Sequence, residues 1–600
     1  MKSFVKMVLA VMTGIFLMGI LGFFLFIGFI GSMAVAGSAK PLIPREGALV
    51  IDMSTVSVSD QGQPGDPMSV IRSGSLDETI TLRSAVQAIN IAAADPGVKL
   101  IYLKPDGGSA SIAQLQELRS ALANFRSSGK PVISYVENPS TGSYYLASVA
   151  DKVFMTSHPG GNNMITGVAG QMIFLGDLLD KLQVNVQLIR HGKYKSAGEM
   201  FTRSEASAEN LEQNQVMVNS MWKSISTEIC KSRDITPEAL DAAIDNIELI
   251  FPEDLLSHSL VDGLLTKDEL KSKLATYYMA EDFSKVTLIG FNDYVKAKVT
   301  ENFRPKNKIA IIYAEGEIVD GNDSKDVAGD RFSRMIAAAR ADSTVKAVVL
   351  RVNSPGGSVI GSDKIRDEIA LTRKCKPVIA SYGDYAASGG YWISSACDKI
   401  FSNSTTLTGS IGVFGMVPDL SKTLKNIAHV NITSVTSNKH GDAYSLTRPF
   451  DKDETAAMQA SIEDIYDRFV SLVAEGRNLR KEYVDSIAQG RVWTGDDALR
   501  LGLVDEIGTL ETALHYAASV ASPTADPSLD GWHIVEYPAP MTFGQMLVAS
   551  FGNFREEPYV FAGKDLKNTV KVIEKWAESW EKNGDGNMFF ARLPYEINIR

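Results

Sequence analysis

The chain contains the same pattern twice, and this duplication limits the folds that it can adopt. Residues 95–103 (DPGVKLIYL) align with residues 342–350 (DSTVKAVVL), and residues 144–153 align with residues 391–400. The second pair lies 247 residues apart, which is too long for a solenoid repeat and fits the duplication of a whole domain. Because one hydrophobic core rarely supports 600 residues, we expect at least two globular units.

Within each copy, short apolar strands alternate with helices that have one apolar face. The copies open with strand-like runs at residues 48–51 and 308–313. This alternation predicts parallel sheets with right-handed crossovers, and therefore an α/β fold with two tandem domains. In one helix of each copy the predicted core residues follow the i, i+3, i+4, i+7 spacing: Leu82, Ala85, Val86 and Ile89, and then Phe332, Met335, Ile336 and Ala339.

The N-terminal region contains an apolar run that predicts a membrane anchor. Residues 8–30 carry no charge and are dense in Leu, Ile, Phe, Met and Val. As a helix they would span about 35 Å, enough for a hydrocarbon core of about 30 Å. Lys2 and Lys6 precede the run, so the positive-inside rule places the N-terminus in the cytoplasm. The alternative is a signal peptide cleaved near residues 34–36 (AVA), although its apolar region would usually span only about 7 to 15 residues.

Three segments follow from these patterns. Residues 1–40 are predicted to form the cytoplasmic N-terminus and the transmembrane anchor, residues 45–300 the N-terminal repeat, and residues 308–600 the C-terminal repeat. The stretch 302–307 (NFRPKN) is the predicted linker. Both repeats are expected on the extracytoplasmic side of the membrane.

Charge and composition argue against several classes of function. The formal net charge is −11 and no long basic tract occurs, so we expect no nucleic-acid partner. Cys230, Cys375 and Cys397 are too few and too scattered for a disulfide framework or a CxxC metal site. The seven histidines show no ligand spacing such as HxxxH, so neither a metal nor another cofactor is expected.

A serine on a small-residue turn is the first candidate for chemistry. Residues 383–392 (GDYAASGGYW) follow the strand-like run 377–382 and place Ser388 directly before Gly389 and Gly390. Glycines permit a sharp turn and let a substrate backbone come close, as a serine nucleophile at a strand-to-helix corner requires. The alternative is a tight turn with a non-catalytic serine, since such turns are common.

A second glycine-rich turn offers backbone donors. The strand-like run 347–352 leads directly into residues 353–358 (NSPGGS), which contain Gly356 and Gly357. Backbone N–H groups without a neighbouring Cβ can form an oxyanion hole, whose loss typically costs about 3 to 4 kcal/mol of transition-state stabilisation. The alternative is a plain strand-to-helix turn.

The serine needs a base, and a lysine is the candidate because no histidine of the second copy fits a Ser-His-Asp pattern. Lys195 follows the strand-like run 184–189 in the first copy. Holding a lysine of pKa near 10.4 neutral at pH 7 costs about 4.6 kcal/mol, so Lys195 must be desolvated. Lys193, two residues away, is expected to be exposed and charged. Ser410 is a candidate to orient the Lys195 amine, with an ordinary turn serine as the alternative.

The two copies differ at the positions of the candidate nucleophile and the candidate base. At the offset of the repeat, Ser388 aligns with Thr141. A predicted strand near Val430 aligns residues 184–185 with residues 430–431, which places Lys195 on Gly441. Residues 104–109 (KPDGGS) also depart from the SPGGS pattern of the second copy. We therefore expect one site for each chain, assembled from both repeats.

Four motifs together resemble the signal peptide peptidase A family, also called protease IV, in its long two-repeat form. They are GKYKSA (192–197), SPGGS (354–358), GDYAASGGYW (383–392) and LTGSIG (407–412), and they occur in the order of the family. The resemblance covers nearly the whole chain and implies membrane-bound serine proteases with a Ser/Lys dyad. It also implies a fold like that of the Clp protease and crotonase group.

By motif, the resemblance gives each candidate a role. Ser388 would be the nucleophile, Lys195 the general base and Ser410 the hydroxyl that positions the lysine. Gly357 and Gly389 would be the oxyanion donors, with Gly356 as a neighbouring support.

The resemblance further implies a homotetramer whose sites face an enclosed apolar space, in the inner membrane with the catalytic body on the periplasmic side. The substrates would be cleaved signal peptides and other apolar peptides. One departure is Gly198, where a larger residue is expected and where glycine would add flexibility near the base. Two alternatives remain: a crotonase-like acyl-CoA enzyme, suggested by the fold, and a catalytically silent membrane scaffold.

Overall fold

Two sheets of mostly parallel strands, one from each copy of the repeat, form the framework of this computed structural model. It describes residues 7, 12–22, 28, 40–61, 79–161, 163–323, 326–522, 529–539 and 589–592. The predicted α/β architecture with two repeats is confirmed. A third sheet, described below, joins the repeats.

The first repeat alternates strands and helices from the start. In chain order its elements are β1 (Gly47–Asp52), β2 (Val58–Ser59), β3 (Ile80–Thr81), α1 (Leu82–Ala94), β4 (Val98–Lys104), α2 (Ile112–Ser127), β5 (Val132–Val136), α3 (Thr141–Ala147), β6 (Lys152–Thr156), α4 (Gly176–Lys181), β7 (Asn185–His191), α5 (Glu199–Thr202), α6 (Ala208–Arg233), α7 (Pro237–Asp245), α8 (Pro252–Ser257), β8 (Gly263–Leu265), α9 (Lys267–Tyr278), β9 (Leu288–Gly290) and α10 (Phe291–Lys298).

The second repeat follows the same plan with longer central strands. Its elements are β10 (Lys308–Glu315), β11 (Ile318–Val319), β12 (Val327–Ala328), α11 (Gly329–Ala341), β13 (Val345–Ser354), β14 (Gly356–Ser358), α12 (Val359–Arg373), β15 (Val378–Ala387), α13 (Gly389–Ser394), β16 (Lys399–Ser402), β17 (Leu407–Gly409), β18 (Val413–Asp419), a π-helical turn (Thr423–Ile427), α14 (Lys452–Arg477), α15 (Lys481–Ile487), β19 (Val492–Thr494), α16 (Gly495–Arg500), β20 (Glu506–Ile507), α17 (Leu510–Ala521), β21 (His533–Tyr537) and β22 (Phe589–Arg592).

The main sheets share their order of central strands. In the first repeat the order is β8-β6-β5-β4-β1-β9, with every pair parallel. In the second repeat it is β19-β17-β15-β13-β10-β21, where only β17 and β19 pair antiparallel on this path. β10 and β13 are almost continuously buried, as expected for parallel strands covered by helices on both faces.

The predicted helix faces are found where the periodicity placed them. In α1 the residues Leu82, Ala85, Val86 and Ile89 are buried in the core of the first repeat. In α11 the residues Phe332, Ile336 and Ala339 are buried, and Met335 packs at the edge of the same core. Helical spacing of apolar residues was therefore sufficient to identify both faces.

A third sheet connects the repeats, in the order β12-β11-β14-β22-β18-β7. β7 belongs to the first repeat by sequence, yet it pairs antiparallel with β18 of the second over seven residue pairs, from Asn185–Asp419 to His191–Val413. The segment that follows β7 is thereby brought to the segment that precedes β18. These two segments carry Lys195 and Ser410.

A buried ion cluster also joins the repeats. Arg351 on β13 contacts Asp60 (2.9 Å) and Glu117 (2.8 Å), both from the first repeat. All three side chains are at most 2% exposed. Removing one partner from such a cluster leaves a buried charge uncompensated, which is strongly destabilising. The cluster therefore fixes how the repeats dock.

The described residues do not show the predicted membrane span, and they contradict one predicted strand. Residues 12–22 are helical, but no helix in the described part of the chain is long and apolar enough to cross a membrane. The rest of the predicted span 8–30, apart from Gly28, lies outside the described residues. The strand expected near Val430, used above to align Lys195 with Gly441, is absent from the fully described segment 420–451.

Candidate active site

Ser388 lies at the corner between β15 and α13, where the chain turns from strand to helix. Its backbone has φ 57° and ψ −114°, a conformation that costs a non-glycine residue about 1 to 3 kcal/mol. Two backbone hydrogen bonds hold the corner: Ser388 N–H donates to Gly409 O, and Trp392 N–H donates to Ser388 O, both at 2.8 Å. This strained strand-to-helix turn is the geometry of a nucleophile elbow.

The helix after Ser388 is fixed in the core of the second repeat. Tyr391 and Trp392 are fully buried. The Tyr391 hydroxyl donates to Leu503 O (2.7 Å) and Trp392 Nε1 donates to Asp363 Oδ1 (2.9 Å). A nucleophile on so rigid a support keeps its position during a reaction.

Lys195 reaches Ser388 across the boundary between the repeats. Its Nζ lies 2.7 Å from Ser388 Oγ, 3.0 Å from Ser410 Oγ and 3.1 Å from Ser410 O. All three residues are completely buried. The structure thus brings together the three side chains that the sequence selected from two separate repeats.

The surroundings of Lys195 favour a neutral amine. Burial lowers the pKa of Lys195 well below its usual value. A neutral amine has two N–H donors and one lone pair, and Lys195 has three partners that match this set. The two N–H groups can donate to Ser410 Oγ and Ser410 O, while the lone pair accepts the Ser388 hydroxyl. Lys193, by contrast, is exposed as expected, with its Nζ 4.9 Å from the Tyr194 ring.

The loop that carries Lys195 is clamped on both sides by Gln213 of α6. Gln213 Nε2 donates to Tyr194 O and to Ser196 Oγ, each at 3.0 Å. Its Oε1 accepts from the Val492 N–H of the second repeat at 3.4 Å. One buried amide therefore holds the residues before and after the lysine and ties them to the other repeat.

Further contacts fix the same loop from the backbone. Tyr194 N–H donates to Gln489 O at 3.0 Å, and Arg190 donates to Lys195 O at 2.7 Å. Gly198 is closely packed, because a Cβ at this position would lie 2.3 Å from Leu188 Cδ1. A larger residue here would require the Leu188 side chain to move.

The two glycine-rich turns meet beside Ser388. A Cβ built on Gly389 would lie 3.1 Å from both Gly356 Cα and Gly357 N, so the backbones of the predicted oxyanion donors are adjacent. The N–H of Gly356 donates to Ser354 Oγ at 3.2 Å. This hydrogen bond holds the turn at Gly356.

The equivalent positions of the first repeat have structural partners instead. Thr141 is buried, and its Oγ1 accepts from the Thr166 N–H at 3.1 Å. Asp106, which interrupts the SPGG pattern, accepts from Glu137 N–H (2.6 Å) and Asn138 N–H (2.9 Å). These contacts hold neighbouring loops of the first repeat together, and Thr141 and Asp106 therefore have structural roles there.

Sequence reasoning missed the residues that hold the lysine loop, above all Gln213 and Gly490. A signal for Gln213 was available, since it precedes Met217 and Met221 at intervals of four on the buried face of α6. A glutamine on an otherwise apolar face indicates a buried hydrogen-bonding role. Gly490 had no such signal, because its contact with Lys195 depends on how the repeats dock.

A metal-compatible cluster exists elsewhere among the described residues. His440, Asp451 and Asp453 are exposed and have ligand atoms within 4.8 Å of one another. Two of these groups already have partners, because His440 Nδ1 bonds to Glu454 (2.8 Å) and Asp453 to Lys439 (2.6 Å). The cluster lies in the segment after β18, and the site around Ser388 does not use it.

The geometry defines a class of enzyme. A serine on a strained elbow, a buried lysine on its oxygen and adjacent backbone donors form the site of a serine hydrolase with a lysine base. The model of Peptidase family S49 matches the chain at residues 124–280 and 370–522. The first match contains Lys195, and the second contains Ser388 and Ser410.

Similar proteins agree with this family. Protease 4 of Haemophilus influenzae is 35% identical over 533 residues, covering 86% of this chain and 85% of that protein. Protease 4 of Salmonella typhi is 35% identical over 548 residues, with coverage of 88% and 86%. The chloroplastic serine protease SPPA of Arabidopsis thaliana is 30% identical over 443 residues, with coverage of 72% and 64%. The chain belongs to peptidase family S49 and is a serine protease.

Proposed function

We propose that this protease is a membrane-anchored endopeptidase that degrades cleaved signal peptides and other apolar peptides with a Ser388/Lys195 dyad. The observation that carries the proposal is the 2.7 Å separation of Lys195 Nζ and Ser388 Oγ, with the lysine completely buried. The resemblance to signal peptide peptidase A supplies the substrate class. It also supports a fold like that of the Clp protease and crotonase group for the two repeats.

In the proposed reaction, neutral Lys195 takes the proton of the Ser388 hydroxyl while Oγ attacks the peptide carbonyl. The N–H groups of Gly357 and Gly389 stabilise the oxyanion of the tetrahedral intermediate. Protonated Lys195 then donates to the leaving amine, and the acyl-enzyme remains. Water deacylates Ser388 with Lys195 again as the base, which returns the enzyme to its starting state.

Ser410 serves this reaction by orienting the amine. Its Oγ and its carbonyl oxygen together accept two N–H groups of Lys195. The amine lone pair is thereby directed to Ser388, so that proton transfer needs no rearrangement of the side chain.

The anchor and the location remain part of the proposal. Residues 8–30 would cross the inner membrane, with the N-terminus in the cytoplasm and both repeats in the periplasm. The described stretch 12–22 supports this in being helical and exposed in the isolated chain. A homotetramer with enclosed sites would restrict access to short or unfolded peptides. Protease protection of membrane vesicles, compared with a chain lacking residues 1–39, tests the orientation.

The alternatives make different chemical demands. In a crotonase-like enzyme an acidic residue would act near the glycine-rich turns. Asp384 lies near them, but it accepts a hydrogen bond from the Ala113 N–H at 3.2 Å. Its carboxylate therefore helps to hold the interface between the repeats. In a silent scaffold Ser388 would not react with a serine-directed probe.

The test uses the purified full-length protein in detergent and a fluorogenic apolar peptide. Ser388→Ala and Lys195→Ala should each abolish hydrolysis while circular dichroism shows a folded protein. Lys193→Ala is the matched control and should retain activity, since this lysine is exposed. A fluorophosphonate probe should attach to Ser388, as located by mass spectrometry. Substantial hydrolysis by either dyad variant would reject the proposal.

A further inference from the structure

The turn of residues 489–491 in the second repeat holds the lysine loop and the Ser410 segment at the same time. Gln489 O accepts the N–H of Tyr194, in the first repeat, at 3.0 Å. Arg491 O accepts the Ser410 N–H at 2.8 Å. The turn therefore sets the distance between the base and the hydroxyl that orients it.

This turn has a backbone conformation that is unfavourable for most residues. Gln489 and Gly490 have φ angles of +54° and +77°, so both lie in the left-handed region. Glycine adopts this region readily, whereas glutamine does so at a cost in free energy. Such strain persists where the surrounding structure holds it, and it is common at functional sites. Contacts from outside the turn therefore have to hold Gln489.

Tyr466 of α14 supplies these contacts. Its hydroxyl oxygen accepts from Gln489 Nε2 at 3.0 Å and from the Gln489 N–H at 3.3 Å. The hydroxyl donates to Asp485 Oδ1 at 2.5 Å, and this carboxylate oxygen also accepts from Gln489 Nε2, at 2.8 Å. Burial raises the pKa of Tyr466 above its usual value, so its hydroxyl stays protonated at neutral pH and continues to donate to Asp485.

The ring of Tyr466 also contacts the start of the lysine loop. It stacks on His191, the last residue of β7, with the ring centroids 3.8 Å apart and an angle of 21° between the ring planes. Gly192 follows, and a Cβ built on it would lie 2.5 Å from the carbonyl carbon of Gln489. One side chain of the second repeat therefore supports the lysine loop through its ring and, by way of Gln489, through its hydroxyl.

We infer that Tyr466 is a positioning residue for the dyad, which acts through the turn at Gln489 and does not touch the substrate. The inference rests on the proposed Ser388/Lys195 mechanism. Without the Tyr466 hydroxyl, Gln489 loses two hydrogen bonds and its strained turn relaxes, so that the Lys195 amine is held less well and water can reach it. Misplacement of the amine slows proton transfer, and hydration makes the amine easier to protonate.

Tyr466→Phe tests this inference, because it keeps the stacked ring and removes only the hydroxyl. Peptide hydrolysis by the full-length enzyme should have a kcat about ten- to a hundredfold lower, with little change in KM. The rate at which a fluorophosphonate labels Ser388 should have its acid limb at a higher pH than in the parent enzyme. Tyr483→Phe is the matched control, since the Tyr483 hydroxyl donates to Leu501 O at 3.3 Å, outside the turn. It should change neither kcat nor the acid limb.

Asp485 allows a rescue experiment. Asp485→Ala removes the acceptor of the Tyr466 hydroxyl and should lower kcat, whereas Asp485→Asn keeps an acceptor oxygen and should recover most of the loss. A parental kcat in Tyr466→Phe would overturn the inference. An unmoved acid limb would also overturn it, because Tyr466 would then contribute to stability alone. Failure of the proposed function is a different result: Lys195→Ala would be labelled at Ser388 as fast as the parent enzyme.

Discussion

Gly490 of the second repeat supports the backbone of Lys195 from the first. A Cβ built on Gly490 would lie 2.6 Å from both the amide nitrogen and the Cβ of Lys195. Gly490 also has φ +77°, a conformation that favours glycine. The turn between α15 and β19 therefore sets how closely the lysine loop approaches Ser388.

Gly490→Ala should displace Lys195 and lower kcat about a hundredfold, the usual effect of a misplacement of about 1 Å. Peptide hydrolysis checks this. Gly502→Ala is the matched control, since Gly502 has a similar φ of +74° but its nearest contact is the Leu479 side chain at 3.6 Å. The control should lose stability and keep kcat. Equal loss of kcat in both variants would show that backbone strain, and not contact with Lys195, is responsible.

Ser410→Ala should lower kcat by about ten- to a hundredfold with little change in KM, because the Lys195 amine loses part of its orientation. The substitution removes one of the two acceptors that orient the Lys195 amine and leaves the Ser410 carbonyl oxygen at 3.1 Å. Steady-state kinetics give both constants. Ser402→Ala, which removes a buried serine hydroxyl bonded to Asn403 O, serves as the comparison. A larger change in KM than in kcat would argue that Ser410 binds substrate.

Gln213→Ala should also reduce kcat more than KM, because the clamp on Tyr194 and Ser196 is lost. Gln213→Glu should not restore activity, since a carboxylate cannot donate to these two acceptors. The control is Gln215→Ala on the exposed side of the same helix, where the amide donates to Asn219 Oδ1. Activity of Gln213→Glu equal to that of the parent enzyme would contradict the positioning role.

The pH profile of kcat/KM should have an acid limb set by Lys195. The neutral amine is the active form, so activity rises with pH through the pKa of Lys195 and is constant above it. Burial lowers that pKa well below its usual value, so the limb should lie far to the acid side of free lysine. Lys195→Arg, protonated at all usable pH values, should be inactive throughout. Lys193→Arg should leave the profile unchanged; a shifted limb would mean that another group is titrating.

Glu315 should make the stability of the protein depend on pH. Burial, with a contribution from the charge of Asp60, raises the pKa of Glu315 to about 7. Between about pH 4.5 and 7 the folded state keeps a proton that the unfolded state releases, so stability falls as pH rises through this window. Glu315→Gln should match the parent near pH 4 and be more stable by up to about 3 kcal/mol above pH 7.

Urea unfolding at about pH 4 and about pH 8 measures this difference. The exposed Glu301→Gln is the control, and its difference from the parent should not change with pH. If the stability difference between Glu315→Gln and the parent protein were the same at both pH values, Glu315 would not be the source of this pH dependence.

Local patterns were enough to predict the helix faces, whereas the three side chains that meet at the site were selected by local motifs together with the comparison of the two repeats and the family resemblance. The spacing of Leu82, Ala85, Val86 and Ile89 needs only the helical period, and the burial of Lys195 follows from the cost of holding a lysine neutral. These inferences use properties of a few neighbouring residues or of one side chain. They require no knowledge of how distant segments pair.

Pairing between distant segments is what the sequence did not reveal. The apolar alternation around Val430 favours a strand, yet Val430 and Ile432 are 47% and 50% exposed. A strand needs a free edge, and β18 already has β22 on one side and β7 on the other. The register between β7 and β18 is set by tertiary docking, and so is the contact of Gly490 with Lys195. No local signal encodes either one.

The pairing of β7 with β18 has a consequence for biosynthesis. Lys195 leaves the ribosome 193 residues before Ser388, and it lies in a loop after β7, whose partner strand β18 has not yet been made. The loop that supports it, at Gly490, is made later still. A nascent chain therefore has no complete dyad, and we expect proteolytic activity to begin only after both repeats have been synthesised, folded and docked. The protease is harmless to its own unfolded chain for as long as that chain is incomplete.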